Sequence, residues 1–438
     1  MDGKGEEGGE HNTMPLSDFE KTNPTTSIGA PLEEQVSSDY GRRPACFRNT
    51  LQECLFVLTT TVAVGMSSIF GGSTLCMTNA IGEALDMDAA EVSWIWAGLN
   101  LAAGSLLLFF GRTADLFGRR MQLLVSMVTF TIFVLVAGFA TNAVFIDVFS
   151  GLIGISCAAS VPPAIGKLGA VYDKPSWRKN RAFACFSAGY PLGFVIGAFI
   201  SGVATQVANW RATFWVICVI YFFFTIAAWW TVPEDTEQRL GGFNKETLAK
   251  FDFLGAFLAV AGLALFTAAL TLAGGAPNGW RTSYIPALLV IGIVFVAGYI
   301  YWQSIFAHPL MPLGIWKDKN FTLLVSALCA GFYGFTGNLF WISLVWQRID
   351  GDSPLIVAVK LLPAALGGIC VNVVAAFIMH RVSNKLLMLV AAASLVIASA
   401  LWSALSADLS HSTQYWALSF PALIFSVIGA DFQFTVTK

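Results

Sequence analysis

Residues 92–140 read VSWIWAGLNLAAGSLLLFFGRTADLFGRRMQLLVSMVTFTIFVLVAGFA, and every charge in that stretch lies between Arg112 and Arg120. On each side stands an apolar run of the length, about 20 residues, that a helix needs to cross a bilayer. Working outward, the composition of the whole chain repeats this pattern. Hydrophobic residues make up 56% and charged residues 12%, against roughly 45–50% and about 25% in soluble proteins. So few charges cannot cover so much apolar surface in water, and hydrocarbon is the solvent that fits. The fold class expected is therefore an all-α polytopic membrane protein, since helices pair their own backbone groups in lipid.

Twelve stretches qualify as spans, at 54–76, 92–110, 122–140, 143–165, 182–205, 212–231, 253–274, 284–304, 320–346, 355–378, 385–404 and 414–436. With the N-terminus inside, every Lys and Arg falls on an inside segment except Arg211, Arg281, Arg348 and the intramembrane Lys360. That asymmetry follows the positive-inside rule and supports both count and orientation. The first outside loop holds Glu83, Asp86, Asp88 and Glu91 with no basic residue, and Trp94, Trp96, Trp210, Trp229, Trp230 and Trp280 fall at the expected interfaces.

Residues 1–50 are rich in Gly, Glu, Ser, Thr and Pro and read as a disordered cytoplasmic tail, without the basic start and short apolar core of a cleaved signal. A net charge of -2 offers no basic stripe to a nucleic acid. Eight scattered cysteines without CxxC spacing read as reduced packing residues, and the four histidines (His11, His308, His380, His411) form no metal pattern. Neither a metal nor a nucleophile–base pair is expected, so the chain reads as no enzyme.

The loop Gly111-Arg-Thr-Ala-Asp-Leu-Phe-Gly-Arg-Arg120 combines two glycines suited to a tight reversal with Asp115 among Arg112, Arg119 and Arg120, a small ionic latch. It resembles the signature loop of the major facilitator superfamily, with Thr113 where that loop usually has Leu. Asn209-Trp-Arg211, Phe251-Asp-Phe-Leu-Gly255, His308-Pro-Leu-Met-Pro-Leu313, Ser353-Pro-Leu and Leu361-Leu-Pro363 extend the resemblance along the chain from residue 50. Together they are similar to the fourteen-spanner drug:proton antiporters, particularly their fungal aminotriazole-resistance-like branch. Leu116–Met121 aligns faintly with Arg381–Leu386, as a parallel repeat would.

The resemblance implies two pseudo-symmetric bundles flanking an inserted helix pair. It gives an N-terminal six-helix bundle at 51–231, a cytoplasmic loop at 232–252, the inserted pair at 253–304 and a C-terminal bundle at 305–438 with four helices. The second bundle then reads as truncated, without the fifth helix against which Asp115 docks in the family. A non-transporting regulator or sensor, or an inactive fragment, stands beside the transport reading for that reason.

Beside the gating loop Gly111, Arg112, Asp115, Gly118, Arg119 and Arg120, three sets of residues are candidates for mechanism. Gly189, Gly193 and Gly197 repeat a small residue every four positions beside Pro191, either as close packing or as a gating hinge. They resemble the antiporter motif, although Tyr190 separates Gly189 from Pro191 and Phe194 replaces a glycine. Asp147, where the resemblance often places an arginine, is the proton-carrier candidate, with simple solvation near the outer surface as the alternative. Asn100, Asn338 and Asn372 either line a substrate cavity or tie helices together. Lys360 reads as a snorkelling residue.

The implied function is proton-coupled efflux of small toxic organic compounds by alternating access at a plasma membrane, with an uptake symporter as the alternative. The cavity would lie between the first, fourth, ninth and twelfth spans. The expected partners are a small-molecule substrate, protons and the lipid bilayer; no obligate protein partner is evident, and no cofactor is needed beyond the proton gradient.

Overall fold

A computed structural model describes residues 43–173, 176–235, 252–276, 278–307, 309–378, 382–405 and 411–436. The tail before residue 43, the loop 236–251, His308 and His380 lie outside the described residues. Within them the chain is helical and contains no strand.

The helices are α1 Thr50–Val64, α2 Met66–Leu85, α3 Ala89–Phe117, α4 Arg119–Ala137, α5 Ala143–Val171, α6 Trp177–Val207 and α7 Trp210–Thr231. They continue with α8 Phe253–Gly275, α9 Tyr284–Ile305, α10 Lys319–Arg348, α11 Pro354–Ile378 and α12 Asn384–Ser403. A final rod joins α13 His411–Gln414, a π-turn Tyr415–Ser419 and α14 Phe420–Val436.

Polar residues start these helices where the sequence offers them. Asp88 and Glu91 close a reciprocal capping box on α3. Asn142, Ser176, Asn209, Asp252, Asp318 and Ser383 each accept a hydrogen bond from the first turn of α5, α6, α7, α8, α10 and α12. Among the described residues, eleven helices are long and apolar enough to cross a bilayer, and α1 with α2 makes a twelfth span bent by 51°. The bend falls at Gly65, where a Cβ would sit 3.0 Å from the Gly189 carbonyl of α6. The first span is therefore longer than expected, and broken.

Apolar side chains face outward in rows, as lipid contact requires. On α7, Phe223 is 64% exposed and Trp230 76%. The first buried core joins α1 to α7 through Phe56, Phe70, Met127, Phe130, Phe214 and Tyr221. A second core joins Leu75, Cys76 and Ala198 to Leu339, Ile342, Trp346, Val357, Leu361 and Leu423 of α10, α11 and α14. The pair α8–α9 packs on itself through Ala269, Ala273 and Ile285, and α8 also lies along α3.

One expectation about the signature loop is corrected here. Gly111 lies inside α3 with no neighbour near its Cβ position, and so makes no turn. The reversal falls entirely on Gly118, at φ +106°, a value that L side chains avoid.

Candidate functional site

The basic end of the molecule is a web of ion pairs. Asp115 binds one of its three neighbouring arginines, Arg119, at 3.0 Å. Arg119 also donates to the Gly166 carbonyl of α5 at 2.9 Å. Arg120 turns away from Asp115. Its guanidinium meets Glu234 at 2.9 Å and the Trp229 carbonyl at 3.1 Å, while its backbone N–H donates to Asp235. Arg112 has no partner among the described residues.

Lys167 pairs with Asp235 at 2.5 Å and donates to the Pro233 carbonyl. Asp235 also lies where a Cβ on Gly118 would stand, 2.9 Å away. The latch is thus larger than the loop that announced it, since it ties the α3–α4 turn to the end of α5 and to the segment after α7. Lys167, Glu234 and Asp235 escaped sequence reading. The signal available was an acidic pair directly following an apolar span.

A second cluster at this end surrounds the buried Glu53 of α1, which accepts from Tyr172 at 2.9 Å and from Arg178 at 2.7 Å. Burial first, and then the bond to the Glu53 carboxylate, push the Tyr172 hydroxyl above its ordinary pKa, so it stays a donor.

The glycine stripe of α6 faces the bent first span. A Cβ at Gly193 would stand 2.9 Å from the Gly65 carbonyl, and those at Gly189 and Gly197 would collide with the carbonyls of Thr61 and Ile69. Pro191 faces α11 instead, beside Gly368, where Asp431 of α14 also lies, 3.2 Å from the Gly368 Cβ position. Asp431 is an acid in the last span that sequence reading passed over.

Asp147 is half-buried near the start of α5, against Gly98 of α3, and its Oδ1 is buried without a hydrogen-bond partner among the described residues. The three asparagines do not converge. Asn100 is exposed and donates to the Trp96 carbonyl of its own helix, as Asn372 does to that of Gly368. Asn338 donates to Ser399 of α12. Lys360 reaches from α11 to the turn that precedes it. It is ion-paired with Asp352 and lies 3.8 Å from Asp350, over the rings of Trp346 and Tyr415. The acids in the α10–α11 turn hold the ammonium there.

At the end opposite the basic web, the two helix groups meet through a clasp that sequence reading missed. Gln347 of α10 donates to the Leu75 carbonyl at 2.8 Å and accepts from the Asn79 N–H at 3.1 Å. Those are the two backbone groups that α-helical geometry pairs with each other. Ser343 adds a 3.0 Å bond to the same carbonyl, and Arg348 donates to the Asn79 side chain at 3.2 Å.

Below the clasp lies a small cavity, lined by Thr74, Leu75 and Thr78 of α2, Val92, Ile95 and Trp96 of α3, and Phe340 of α10. This cavity uses the first, second and ninth spans, and neither the fourth nor the last. Among the described residues no three His, Cys, Asp or Glu side chains could hold a metal.

Comparison with known proteins agrees with this architecture. The chain is 29% identical to the low affinity ammonium transporter of Saccharomyces cerevisiae, over 94% of the chain and 79% of that protein. It is 28% identical to the efflux pump terJ of Aspergillus terreus, over 88% and 74%. The aminotriazole resistance protein of Saccharomyces cerevisiae is 25% identical over 71% and 57%. Among solved structures, the peptide transporter POT superposes with a TM-score of 0.60 at 16% identity, covering 88% of each chain, a likeness of fold. The Major Facilitator Superfamily matches residues 56–437, and the chain belongs to that family.

Proposed function

We propose that this chain is a proton-coupled exporter of small toxic organic compounds, working by alternating access at a plasma membrane with its N-terminus in the cytosol. The observation that carries the reading is the clasp. Besides the apolar core and the α6–α11 packing that join them, the two helix groups are held at one end by a few reversible hydrogen bonds over a cavity that both groups line. Rocking about such a contact opens one end while the other closes. The efflux pump among the relatives favours outward transport. In this reading the helix groups correspond to residues 51–231 and 305–438, with 253–304 as the inserted pair.

Asp147 is the proposed proton carrier, because a carboxylate in a span with a buried, unbonded oxygen gains a partner when it takes up a proton. A second reading, uptake of a small cation, draws on the relative described as a low affinity ammonium transporter.

The test is flux in proteoliposomes holding the full chain under an imposed pH gradient. Gradient-driven movement of a labelled organic compound, abolished by a protonophore and by Asp147→Asn, is expected. Flux that persists unchanged in Asp147→Asn removes the carrier assignment. Absence of flux across a panel of organic cations and weak acids removes the exporter.

A further inference from the structure

We propose that the cavity bounded by Thr74, Thr78, Trp96 and Phe340 is a binding site for one water-sized cation bearing N–H groups, of the ammonium class. The inference rests on the transport reading above, but not on its direction or on the identity of the proton carrier.

Position is the first ground. Thr74 and Thr78 belong to α2, Trp96 to α3 and Phe340 to α10, so an occupant touches helices from both sides of the clasp. Leu75 does double duty, since it lines the cavity and its carbonyl is the acceptor that Ser343 and Gln347 hold. Loading the cavity therefore bears directly on the contact that must open and close.

Size is the second. The space open to the centre of a water-sized guest is about 10 Å³, near the threshold for a single such guest. Ammonium fits this measure and a drug-sized molecule does not.

Polarity is the third. A hydroxyl has one proton and two lone pairs. Thr74 spends its proton on the Phe70 carbonyl at 2.9 Å, and Thr78 on the Thr74 carbonyl at 2.6 Å. What both hydroxyls have left for a guest is acceptor capacity. Trp96 and Phe340 add aromatic surface, which attracts cations. A guest with donors and no acceptor matches such walls, two of its N–H groups reaching the hydroxyls and the others facing the rings, whereas an anion finds no lysine or arginine among them.

Charge nearby has the matching sign. Glu83 and Glu91 stand on either side of the α2–α3 turn. One positive charge stands in this region too: Arg348 keeps its charge while donating to the Asn79 side chain.

The measurement is thermal unfolding of the full chain in lipid nanodiscs, titrated with ammonium, methylammonium or tetramethylammonium chloride at constant ionic strength. The site predicts saturable stabilisation by ammonium, a weaker response to methylammonium, whose methyl group exceeds the volume, and none by tetramethylammonium, which is larger still and has no N–H. Thr78→Val keeps the volume and removes an acceptor, and should weaken the apparent ammonium affinity about tenfold, one hydrogen bond to a charged group. Phe340→Leu removes the aromatic wall without touching α2 and should weaken it as well, which keeps the test open if Thr78→Val folds poorly.

Absence of saturable stabilisation, as for a cavity that holds only water, overturns the site. So does an equal response to tetramethylammonium, or unchanged affinity in both variants. Organic-compound flux measured on the same preparation separates the claims: flux without an ammonium response removes this site and leaves the transporter.

Discussion

At the scale of single residues, Glu53 and Gly118 show what anchors the basic end. Glu53 is a buried carboxylate holding Tyr172 and the guanidinium of Arg178. Removing one partner of a buried pair costs several kcal/mol, and the partial exposure of Arg178 lowers that figure. Glu53→Gln should destabilise the purified chain by about 2 kcal/mol, read as a lower unfolding midpoint in denaturant. Gly118→Ala should cost about 1–2 kcal/mol, because it strains a residue at positive φ. It also presses a methyl group on Asp235, so the Lys167–Asp235 pair is displaced with it.

Sequence alone revealed part of this web. Asp115 and its basic neighbours are adjacent in the chain and could be read directly. Lys167 and Asp235 are 68 positions apart, and no local rule pairs them. Which of two glycines turns the chain is a matter of φ, which spacing does not encode. Gln347 carries no charge and closes an apolar run, so it reads as an interfacial residue until α2 is placed beside it.

At the scale of elements, the bent first span and α6 fit together through missing side chains. Gly189, Gly193 and Gly197 let α6 lie on the carbonyls of Thr61, Gly65 and Ile69, and close approach of this kind replaces the hydrophobic effect as the bonding force in lipid. Gly193→Leu should separate the two helices and abolish a folded, monodisperse product in detergent. Pro191→Ala should fold, because Pro191 faces α11 and not α1; its effect belongs to flux. A Pro191→Ala chain that fails to fold, beside a folded Gly193→Leu, would reverse these assignments. The spans themselves were legible because hydrocarbon demands long apolar runs, and the caps because Asp, Asn and Ser precede them. The break at Gly65 was not legible, since it depends on the α6 backbone pressing there.

At the scale of the whole molecule, the account turns on the hydrogen bonds by which α2 and α10 hold two helix groups together at one end, beside the α6–α11 packing. Losing the Gln347 carboxamide removes two hydrogen bonds of about 1 kcal/mol each, which shifts a two-state equilibrium by roughly thirtyfold. The direct measurement places spin labels at Glu83 and Ile349, both exposed beside the clasp, and reads their separation in lipid for the unsubstituted chain and for Gln347→Leu. The account predicts two separations in exchange, the shorter dominant in the former and the longer gaining in Gln347→Leu. A single separation, unaltered by Gln347→Leu, would contradict alternating access at this contact.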